Sequence, residues 1–435
     1  MVSGRPDGPA NGLGPHWAGA GSTGPRPRLH GPHRCDVAIV GAGLTGLSTA
    51  VELLELDPDR RVVVIEADQV AAGASGRGTG LLGPRIGPAL TVARRRYGDD
   101  VARAAHRWSV SAVRHVLDLV ERHRIPCDLT PGGQLVVASG DTAAEEQARE
   151  AEAARALGLD IPLVTREALP RIGASYTSGL RYAPAATLDP AALTAHLARI
   201  GEQRGLTVFE RSPVRDVRPG LLITVVTDHG EVVADHVVIA TNAYGGPGAP
   251  AGVVGVRVQA GVTEKLPDAV LAALSPLTAE PLIGHGELSP YFRLTSDGRL
   301  VVGGGAIRRG PYGSFAPSPG KLRAAVRELS PLLAEVELES AWAGPIGVTR
   351  DGLPVVGRHP HDPELYHAGG CNGHGLAASV YHGARLASWI AHGDEHAPRR
   401  LPWVRAKAPW VPRGRLVDRA LDRYLSHLTA VSDVS

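Results

Sequence analysis

Residues 36–50 read DVAIVGAGLTGLSTA, the most informative segment of the chain for its fold. Its first residues form a short apolar run, typical of a buried strand, and Gly41, Gly43 and Gly46 follow in the spacing GxGxxG. Beyond the glycines, apolar residues recur at helical spacing until Pro58, which cannot continue a helix. A second apolar run, RVVVIE at residues 61–66, completes a strand–helix–strand unit.

Each glycine of this loop has a physical task in a dinucleotide-binding turn. Gly41 permits the tight turn, Gly43 lets the backbone approach a pyrophosphate, and Gly46 allows the helix to pack closely on the strand. The N-terminus of the helix supplies free N–H groups and positive potential. Glu66 ends the second strand and can accept hydrogen bonds from a ribose diol. The unit therefore predicts a dinucleotide site and leaves flavin and nicotinamide open.

Two further glycine-rich segments bear on that choice. GASGRGTG at residues 73–80 follows the second strand closely and suits the close passage of a long diphosphate cofactor. GGCNGHG at residues 369–375 precedes a predicted helix. Backbone donors at such a helix N-terminus stabilise negative charge, which a reduced flavin carries at its N1–C2=O edge. Both segments favour a flavin.

The order of predicted elements indicates a nucleotide-binding domain interrupted by a second domain. After residue 90 the pattern becomes helical, with a helix of about 25 residues around 101–119 and another at 142–156. Asp189 and Pro190 open a further helix, because Asp caps helices and Pro is tolerated in their first turn. Strands follow in 207–240 and again in 252–308.

Composition excludes several classes of protein. The 54 glycines show no three-residue period, so collagen is excluded, and a net charge of +2 is too balanced to imply nucleic acid. No apolar run reaches the roughly 18 residues of a membrane span, and the first residues lack a signal-peptide stretch. Cys35, Cys127 and Cys371 are too widely spaced for a disulfide framework or a metal site. We expect a cytoplasmic protein without metal.

The chain resembles the D-amino-acid-oxidase-like family of FAD-dependent oxidoreductases, in particular its γ-glutamylputrescine oxidase and glycine/sarcosine oxidase branch. The likeness covers roughly residues 35–390, and its segments occur in the family's order. They are DVAIVGAGLTGLSTA (36–50), GASGR (73–77), TLDP (187–190), VIATNA (238–243), YFRLT (291–295) with GRLVVG (298–303), DGLP (351–354) and NGHG (372–375).

The element order and the resemblance together imply an α/β (α+β two-domain) fold. In it, an antiparallel-sheet substrate domain is inserted into a Rossmann-type FAD-binding domain. The expected boundaries are a flexible N-terminal tail at 1–33, an FAD-binding domain at 34–88, 185–250 and 340–395, a substrate domain at 89–184 and 251–339, and a basic C-terminal tail at 396–435.

The resemblance implies an FAD-dependent amine or amino-acid oxidase. Hydride would pass from the substrate carbon to flavin N5, leaving an imine, and O2 would be reduced to H2O2. Non-covalent FAD is expected, since no cysteine lies near 342–352, where monomeric sarcosine oxidases attach their flavin. The implied FAD-binding residues are Gly41, Gly43, Leu44, Thr45, Gly46, Glu66, Ala67, Gly73, Ala74, Ser75, Gly76, Arg77, Gly78, Thr79, Val214, Ala240, Thr241, Gly352, Asn372, Gly373, His374 and Gly375.

Candidates for the catalytic and substrate-binding residues come mainly from the second domain. Tyr291 and Arg293 are two apart on a predicted strand and share one face, so the arginine can grip a substrate carboxylate and the tyrosine can hydrogen-bond beside it. His374 is a candidate to tune the flavin, and Trp342 is a candidate pocket wall. The alternatives are an exposed edge strand, a structural loop histidine and a core tryptophan, respectively.

Other functions remain open at this point. One is a flavin dehydrogenase that passes electrons to a quinone or carrier; another is a biosynthetic flavoenzyme acting on an unusual nitrogen-containing metabolite, such as an N–N compound. A non-catalytic nucleotide-binding module is the remaining alternative. The arginine-rich segment 396–417 either binds an anionic surface or wraps the flavin domain, and Trp17 is the one tail residue expected to dock on the domain.

Overall fold

The computed structural model describes residues 16–17, 24–172, 174–286, 289–310, 316–398 and 401–411. Its strands, numbered in chain order, are β1 (Gly31–Val40), β2 (Val62–Ile65), β3 (Leu81–Leu82), β4 (Thr130–Ala138), β5 (Leu163–Thr165), β6 (Ser178–Thr187), β7 (Thr207–Phe209), β8 (Val214–Arg218), β9 (Ile223–Thr227), β10 (Gly230–Ile239), β11 (Val254–Thr263), β12 (Leu282–Gly284), β13 (Tyr291–Leu294), β14 (Leu300–Arg309), β15 (Leu338–Val348), β16 (Val355–His359) and β17 (Asp362–Gly369). Its helices are α1 (Leu44–Leu56), α2 (Leu90–Tyr97), α3 (Asp99–His123), α4 (Asp141–Ala156), α5 (Pro190–Gln203), α6 (Asp268–Ala273), α7 (Pro276–Ala279), α8 (Pro319–Leu329) and α9 (Gly375–His392).

The first sheet grows from the strand–helix–strand unit. Its order is β16-β17-β10-β1-β2-β7, with β9 beside β10 and β8 beside β9. The five central strands, from β17 to β7, run parallel, whereas β9 and β16 are antiparallel to their neighbours. Helices α1, α5 and α9 pack together on this sheet around buried Leu47, Leu54, Leu197 and Val380. This is the Rossmann-type domain that the sequence predicts.

The second sheet has the order β15-β11-β14-β13-β12-β4-β6-β3, with β5 beside β6. Its pairings are antiparallel, as expected, except for β12 and β4, which run parallel. The expected boundary at residue 340 is also wrong, because β15 pairs with β11 from Thr263↔Leu338 to Val254↔Val348. The first sheet resumes only with β16.

Both ends of the described chain pack more extensively than the sequence predicts. β1 begins at Gly31 and pairs with β10, and the preceding Leu29 is fully buried, so the folded part begins before residue 34. Trp17 docks as expected and is 6% exposed. At the other end, Trp403 is fully buried and its carbonyl oxygen accepts from the Val356 N–H over 2.9 Å. Residues 401–411 therefore lie against β16, and residues 412–435 of the predicted basic tail lie outside the described residues.

Several local predictions are confirmed. The helix expected around 101–119 is α3, which has 25 residues. The Asp189 side chain caps α5 by accepting from the N–H groups of Ala191 and Ala192, with Pro190 in the first turn. The helix after the 369–375 loop is α9, which begins at Gly375. These elements place the three glycine-rich loops at one edge of the first sheet.

Candidate functional site

A large cavity opens where the parallel strands of the first sheet end. Gly41 follows β1, Glu66 follows β2 and Ala240 follows β10, and all three line the cavity. The carboxyl ends of parallel strands form the usual ligand crevice of open α/β sheets. The cavity has a volume of about 1680 Å³ and reaches the second sheet, where Tyr291 and Trp342 line it. Pockets for one small ligand are typically about 300–1,000 Å³, so this one has room for a dinucleotide and a small substrate.

The three glycines of the first loop leave no space for side chains. Gly41 has a φ of +108°, and a Cβ there would lie 3.0 Å from the carbonyl oxygen of Ala240. A Cβ on Gly43 would lie 2.8 Å from Ser75 Oγ, and one on Gly46 would lie 2.0 Å from the carbonyl oxygen of Gly41. The first two glycines line the cavity, whereas Gly46 packs α1 on its strand. The tight turn at Gly41 and the close helix–strand contact at Gly46 agree with the spacing, and the approach of Gly43 to a pyrophosphate stays a prediction.

Glu66 is held in place by the loop it faces. Its Oε2 accepts from the Ala42 N–H over 2.7 Å, and its Oε1 accepts from the Asp68 N–H over 2.9 Å. Burial raises the pKa of Glu66, and these backbone donors act against that rise. A carboxylate oxygen has more than one lone pair, so both oxygens can still accept from a diol.

Two hydroxyl groups mark the neighbouring part of the cavity, those of Ser75 and Thr241. Ser75 Oγ accepts from the Leu44 N–H at the start of α1 over 2.9 Å, which joins the 73–80 loop to the first loop. Thr241 Oγ1 is buried and has no hydrogen-bond partner among the described residues, although Thr241 lines the cavity. Because buried hydroxyls are nearly always hydrogen-bonded, this orphaned oxygen fits a polar ligand placed beside it.

The loop before α9 is fixed by Asn372. Its Oδ1 accepts from the Thr349 N–H over 2.8 Å, and its Nδ2 donates to the carbonyl oxygens of Gly352 and Gly370. Asn372 has a φ of 53° and Gly373 a φ of +85°, both in the left-handed region. The DGLP segment and the 369–375 loop are thereby joined at the N-terminal end of α9.

His374 ends this loop and lines the cavity. Burial, reinforced by the positive charge of Arg85, lowers the pKa of His374 to about 3. The ring is therefore neutral at physiological pH. Cys371 also lines the cavity, and burial raises the pKa of its thiol to about 11, so it is a poor nucleophile.

Tyr291 and Trp342 both reach the cavity, as the sequence predicts. Burial raises the pKa of Tyr291, while a hydrogen bond with the side chain of Thr79 opposes the rise. Trp342 is 4% exposed and packs against Trp17 and Val262 in a small apolar cluster. Trp342 is thus a core residue with one edge at the cavity, so it belongs both to the core and to the pocket wall.

Arg293 does not belong to the cavity lining, and this corrects the expectation that it holds a substrate carboxylate there. Its guanidinium donates to the carbonyl oxygens of Thr79 and Leu188, and its Cζ lies 4.8 Å from the centre of the Trp17 ring. It is 4% exposed, and burial lowers its pKa to about 10. Its N–H donors already bind carbonyl groups, so the guanidinium has no pair of free N–H groups to bind a substrate carboxylate.

The sequence misses a different cation, Arg85. Its side chain is exposed at the cavity, and none of the described residues forms a hydrogen bond or ion pair with its guanidinium. Its charge reaches two other lining residues. It adds to the lowering of the pKa of His374 that burial causes, and it opposes the rise that burial and Glu150 give to the pKa of Tyr182. Arg85 stands in GPRIGP at 83–88, a segment with no recognisable motif, and only its closeness to the 73–80 loop could have pointed to it.

Most of the predicted cofactor-binding residues come together at this cavity. Gly46 and Gly76 are the exceptions, and each packs against backbone; a Cβ on Gly76 would lie 2.2 Å from the carbonyl oxygen of Ala71. The predicted residues in the lining are Gly41, Gly43, Leu44, Thr45, Glu66, Ala67, Gly73, Ala74, Ser75, Arg77, Gly78, Thr79, Val214, Ala240, Thr241, Gly352, Asn372, Gly373, His374 and Gly375.

The described part of the chain shows neither a metal site nor a membrane-spanning helix. None of its groups of His, Cys, Asp and Glu side chains could hold a metal ion. None of its helices is both long and apolar enough to cross a membrane.

Comparison with known proteins agrees with this geometry. The family model described as DAO, FAD dependent oxidoreductase, matches residues 36–389. The chain is 30% identical over 385 residues to the γ-glutamylputrescine oxidoreductase of Escherichia coli K12, covering 87% of this chain and 88% of that protein. It is 27% identical over 371 residues to the glycine oxidase of Geobacillus kaustophilus, covering 82% and 93%.

Solved structures share the fold. The crystal structure of the Geobacillus kaustophilus glycine oxidase superposes with a TM-score of 0.71 at 22% identity, over 83% of this chain and 96% of that one. The L-proline dehydrogenase from P. horikoshii superposes with a TM-score of 0.67 at 20% identity, over 85% and 96%.

Proposed function

The chain belongs to the DAO family of FAD-dependent oxidoreductases, which act on amines or amino acids, and we propose that it oxidises the carbon–nitrogen bond of an amino acid in the cavity between its two sheets. The observation that carries the proposal is the junction of the three glycine-rich loops at one cavity, with Arg85 as an unpaired cation in its wall. A substrate with a carboxylate beside its amine fits that charge better than a polyamine, which carries only positive charge.

The residues at the strand ends fit FAD. Gly41 and Gly43 leave room for a pyrophosphate at the start of α1, and Glu66 faces the same loop with free acceptor capacity. The orphaned Thr241 Oγ1 supplies a further polar contact at the carboxyl end of β10. Bound FAD would supply the hydride-accepting chemistry, with O2 as the final electron acceptor and H2O2 and an imine as products.

The chain's own contribution is positioning. Arg85 attracts the substrate carboxylate and directs that end of the substrate toward the loop that carries His374. Tyr291 and the edge of Trp342 form the wall from the second sheet and limit where the rest of the substrate can lie. Holding a C–H bond in one orientation supplies much of the rate enhancement in such a reaction, which needs little acid–base machinery.

The test is an amine and amino-acid panel with a peroxide readout, run on the purified yellow protein. We expect heat denaturation to release FAD into the filtrate, and peroxide to form with substrates that carry a carboxylate. Colourless protein that takes up no FAD would overturn the proposal. Reduction of an artificial dye without peroxide would assign a dehydrogenase instead of an oxidase.

A matched pair of variants tests where FAD binds. Glu66→Ala should weaken FAD binding by about tenfold or more, because a charge-assisted hydrogen bond contributes about 1.5–3 kcal/mol. Asp59→Ala removes an exposed carboxylate outside the cavity lining and should leave the FAD dissociation constant unchanged. Equal affinities in the two variants would contradict this placement of the cofactor.

A further inference from the structure

Three successive carbonyl groups of the 73–80 loop are each held by a buried side-chain N–H. The three donors come from distant parts of the chain: the N-terminal segment, β13 and β15. The pairs are Trp342 Nε1 with Arg77 O over 2.9 Å, Trp17 Nε1 with Gly78 O over 2.9 Å, and Arg293 Nε with Thr79 O. We name these three side chains the carbonyl clamp.

The clamp fixes the direction of the neighbouring amide groups. In a trans peptide, the C=O of one residue and the N–H of the next point in opposite directions. Holding the carbonyls of residues 77–79 therefore turns the N–H groups of Gly78, Thr79 and Gly80 away from the clamp. These residues line the cavity, and their N–H groups have no hydrogen-bond partner among the described residues.

The three side chains of the clamp are buried and packed together. Trp17, Trp342 and Arg293 are 6%, 4% and 4% exposed, and the Arg293 guanidinium stacks on the Trp17 ring at 4.8 Å. Thr79 is held a second time, through the hydrogen bond between its side chain and Tyr291. Fixed donors need no reorganisation when negative charge appears beside them, which is the condition for efficient electrostatic stabilisation.

We propose that Trp17, Trp342 and Arg293 are positioning residues that aim the amide N–H groups of Gly78, Thr79 and Gly80 at the redox-active ring of FAD. The proposal rests on the proposed function. The ring, rather than the adenine end, is indicated because Thr79 and Arg77 contact side chains of the second sheet, whereas Glu66 faces the loop after β1. Donors fixed there bind the reduced, negatively charged ring more tightly than the oxidised ring.

The substitution that tests the clamp is Trp17→Phe, which keeps an aromatic ring but removes the indole N–H together with part of the ring system. We expect the variant to lose about tenfold in its preference for reduced over oxidised FAD. For a two-electron couple this lowers the flavin reduction potential by about 30 mV. The control is Trp410→Phe, because Trp410 is 72% exposed and lies outside the cavity lining; the flavin potential of this variant should equal that of the wild type.

A second variant, Trp342→Phe, removes the N–H that holds Arg77 O and should lower the potential in the same direction. Potentials equal to that of the wild type in both variants, whatever their melting temperatures, would overturn the proposal and assign the clamp to packing alone. Different results would refute the proposed function and the role of the clamp. A wild-type protein that binds no FAD refutes the proposed function, whereas unchanged potentials in substrate-reducible variants refute only the clamp.

Discussion

His374 Nδ1 lies 3.0 Å from the carbonyl oxygen of Asn372. Because a carbonyl oxygen can only accept, Nδ1 carries the proton and Nε2 carries the lone pair. Burial holds the pKa of His374 near 3, so this tautomer persists over the whole physiological range. The ring at the start of α9 is therefore a fixed neutral group at the cavity rather than a proton donor that switches with pH.

The first prediction concerns the pH profile. We expect no ionisation of His374 in kcat or kcat/KM between pH 5 and pH 9, since its pKa lies below that window. The variant His374→Gln should therefore change the height of the profile and leave its apparent pKa values in place. An ionisation between pH 6 and pH 7 that is present in the wild type and absent from this variant would contradict the neutral assignment.

The second prediction concerns stability in acid. Burial lowers the pKa of His382 to about 3 and that of His367 to about 4, and both side chains are fully buried. Below the unfolded-state pKa of about 6.5, the unfolded chain binds protons at these positions and the folded chain does not. Stability is thus lost as pH falls from about 6.5, by up to about 1.4 kcal/mol per pH unit for each histidine.

The measurement for this second prediction is the free energy of unfolding from denaturant titrations between pH 7 and pH 5. His382→Phe should flatten the acid slope. The control His361→Phe changes an exposed histidine and should leave the slope as it is. Parallel slopes in wild type and His382→Phe would show that His382 is protonated in the folded protein.

The third prediction concerns substrate charge. Arg85→Ala should reduce kcat/KM for carboxylate substrates by about ten- to a hundredfold, because a charge-assisted hydrogen bond contributes about 1.5–3 kcal/mol. The loss should be much smaller for the corresponding amino-acid amides. Arg95→Ala removes an exposed arginine outside the cavity lining and controls for net charge. Equal losses with acids and amides would refute a carboxylate contact.

The fourth prediction concerns the C-terminal segment. Arg405 forms a two-pronged ion pair with Asp351, at 2.5 and 3.0 Å, and donates to the carbonyl oxygen of Leu353. Both side chains are 17% exposed. Arg405→Met leaves a mostly buried carboxylate without its partner, which should lower the free energy of unfolding by about 2 kcal/mol after allowing for partial solvent screening.

The control for this fourth prediction is the ion pair of Arg215 with Asp228, which has the same two-pronged geometry, at 2.9 and 2.8 Å, but is exposed. Arg215→Met should change stability little, since exposed ion pairs are screened by water. Similar losses in the two variants would mean that the Arg405 pair has no special role in fastening residues 401–411.

Local signals predict individual elements well because each signal is short-range. The GxGxxG loop, the Asp189 cap and the periodicity of α3 depend on residues close together in the sequence. The strand β13 is likewise found where alternation and the following Ser-Asp-Gly turn place it. Most of the predicted cofactor-binding residues lie at the cavity for a similar reason, because they sit in loops at the strand ends.

The predictions that are wrong or missing concern features that depend on contacts between residues far apart in the sequence. Alternation places Tyr291 and Arg293 on one face of a strand, but it cannot show that Trp17, far away in the sequence, covers the second of them. The boundary at residue 340 is missed because β15 is defined by its partner β11 and not by its own composition. Arg85 is missed because nothing in the sequence around a lone arginine shows that the fold brings it close to His374.

We propose that this cavity brings an amine-bearing carboxylate substrate to a bound flavin, and an anaerobic titration tests this without any coupled reaction. Purified holoenzyme is mixed with members of an amino-acid panel in the absence of oxygen, and the visible absorbance of the flavin is recorded. We expect at least one carboxylate-bearing amine to bleach the flavin fully, and Arg85→Ala to require a higher concentration of that amine. A flavin that only dithionite can bleach would show that the cavity does not deliver such a substrate to the flavin.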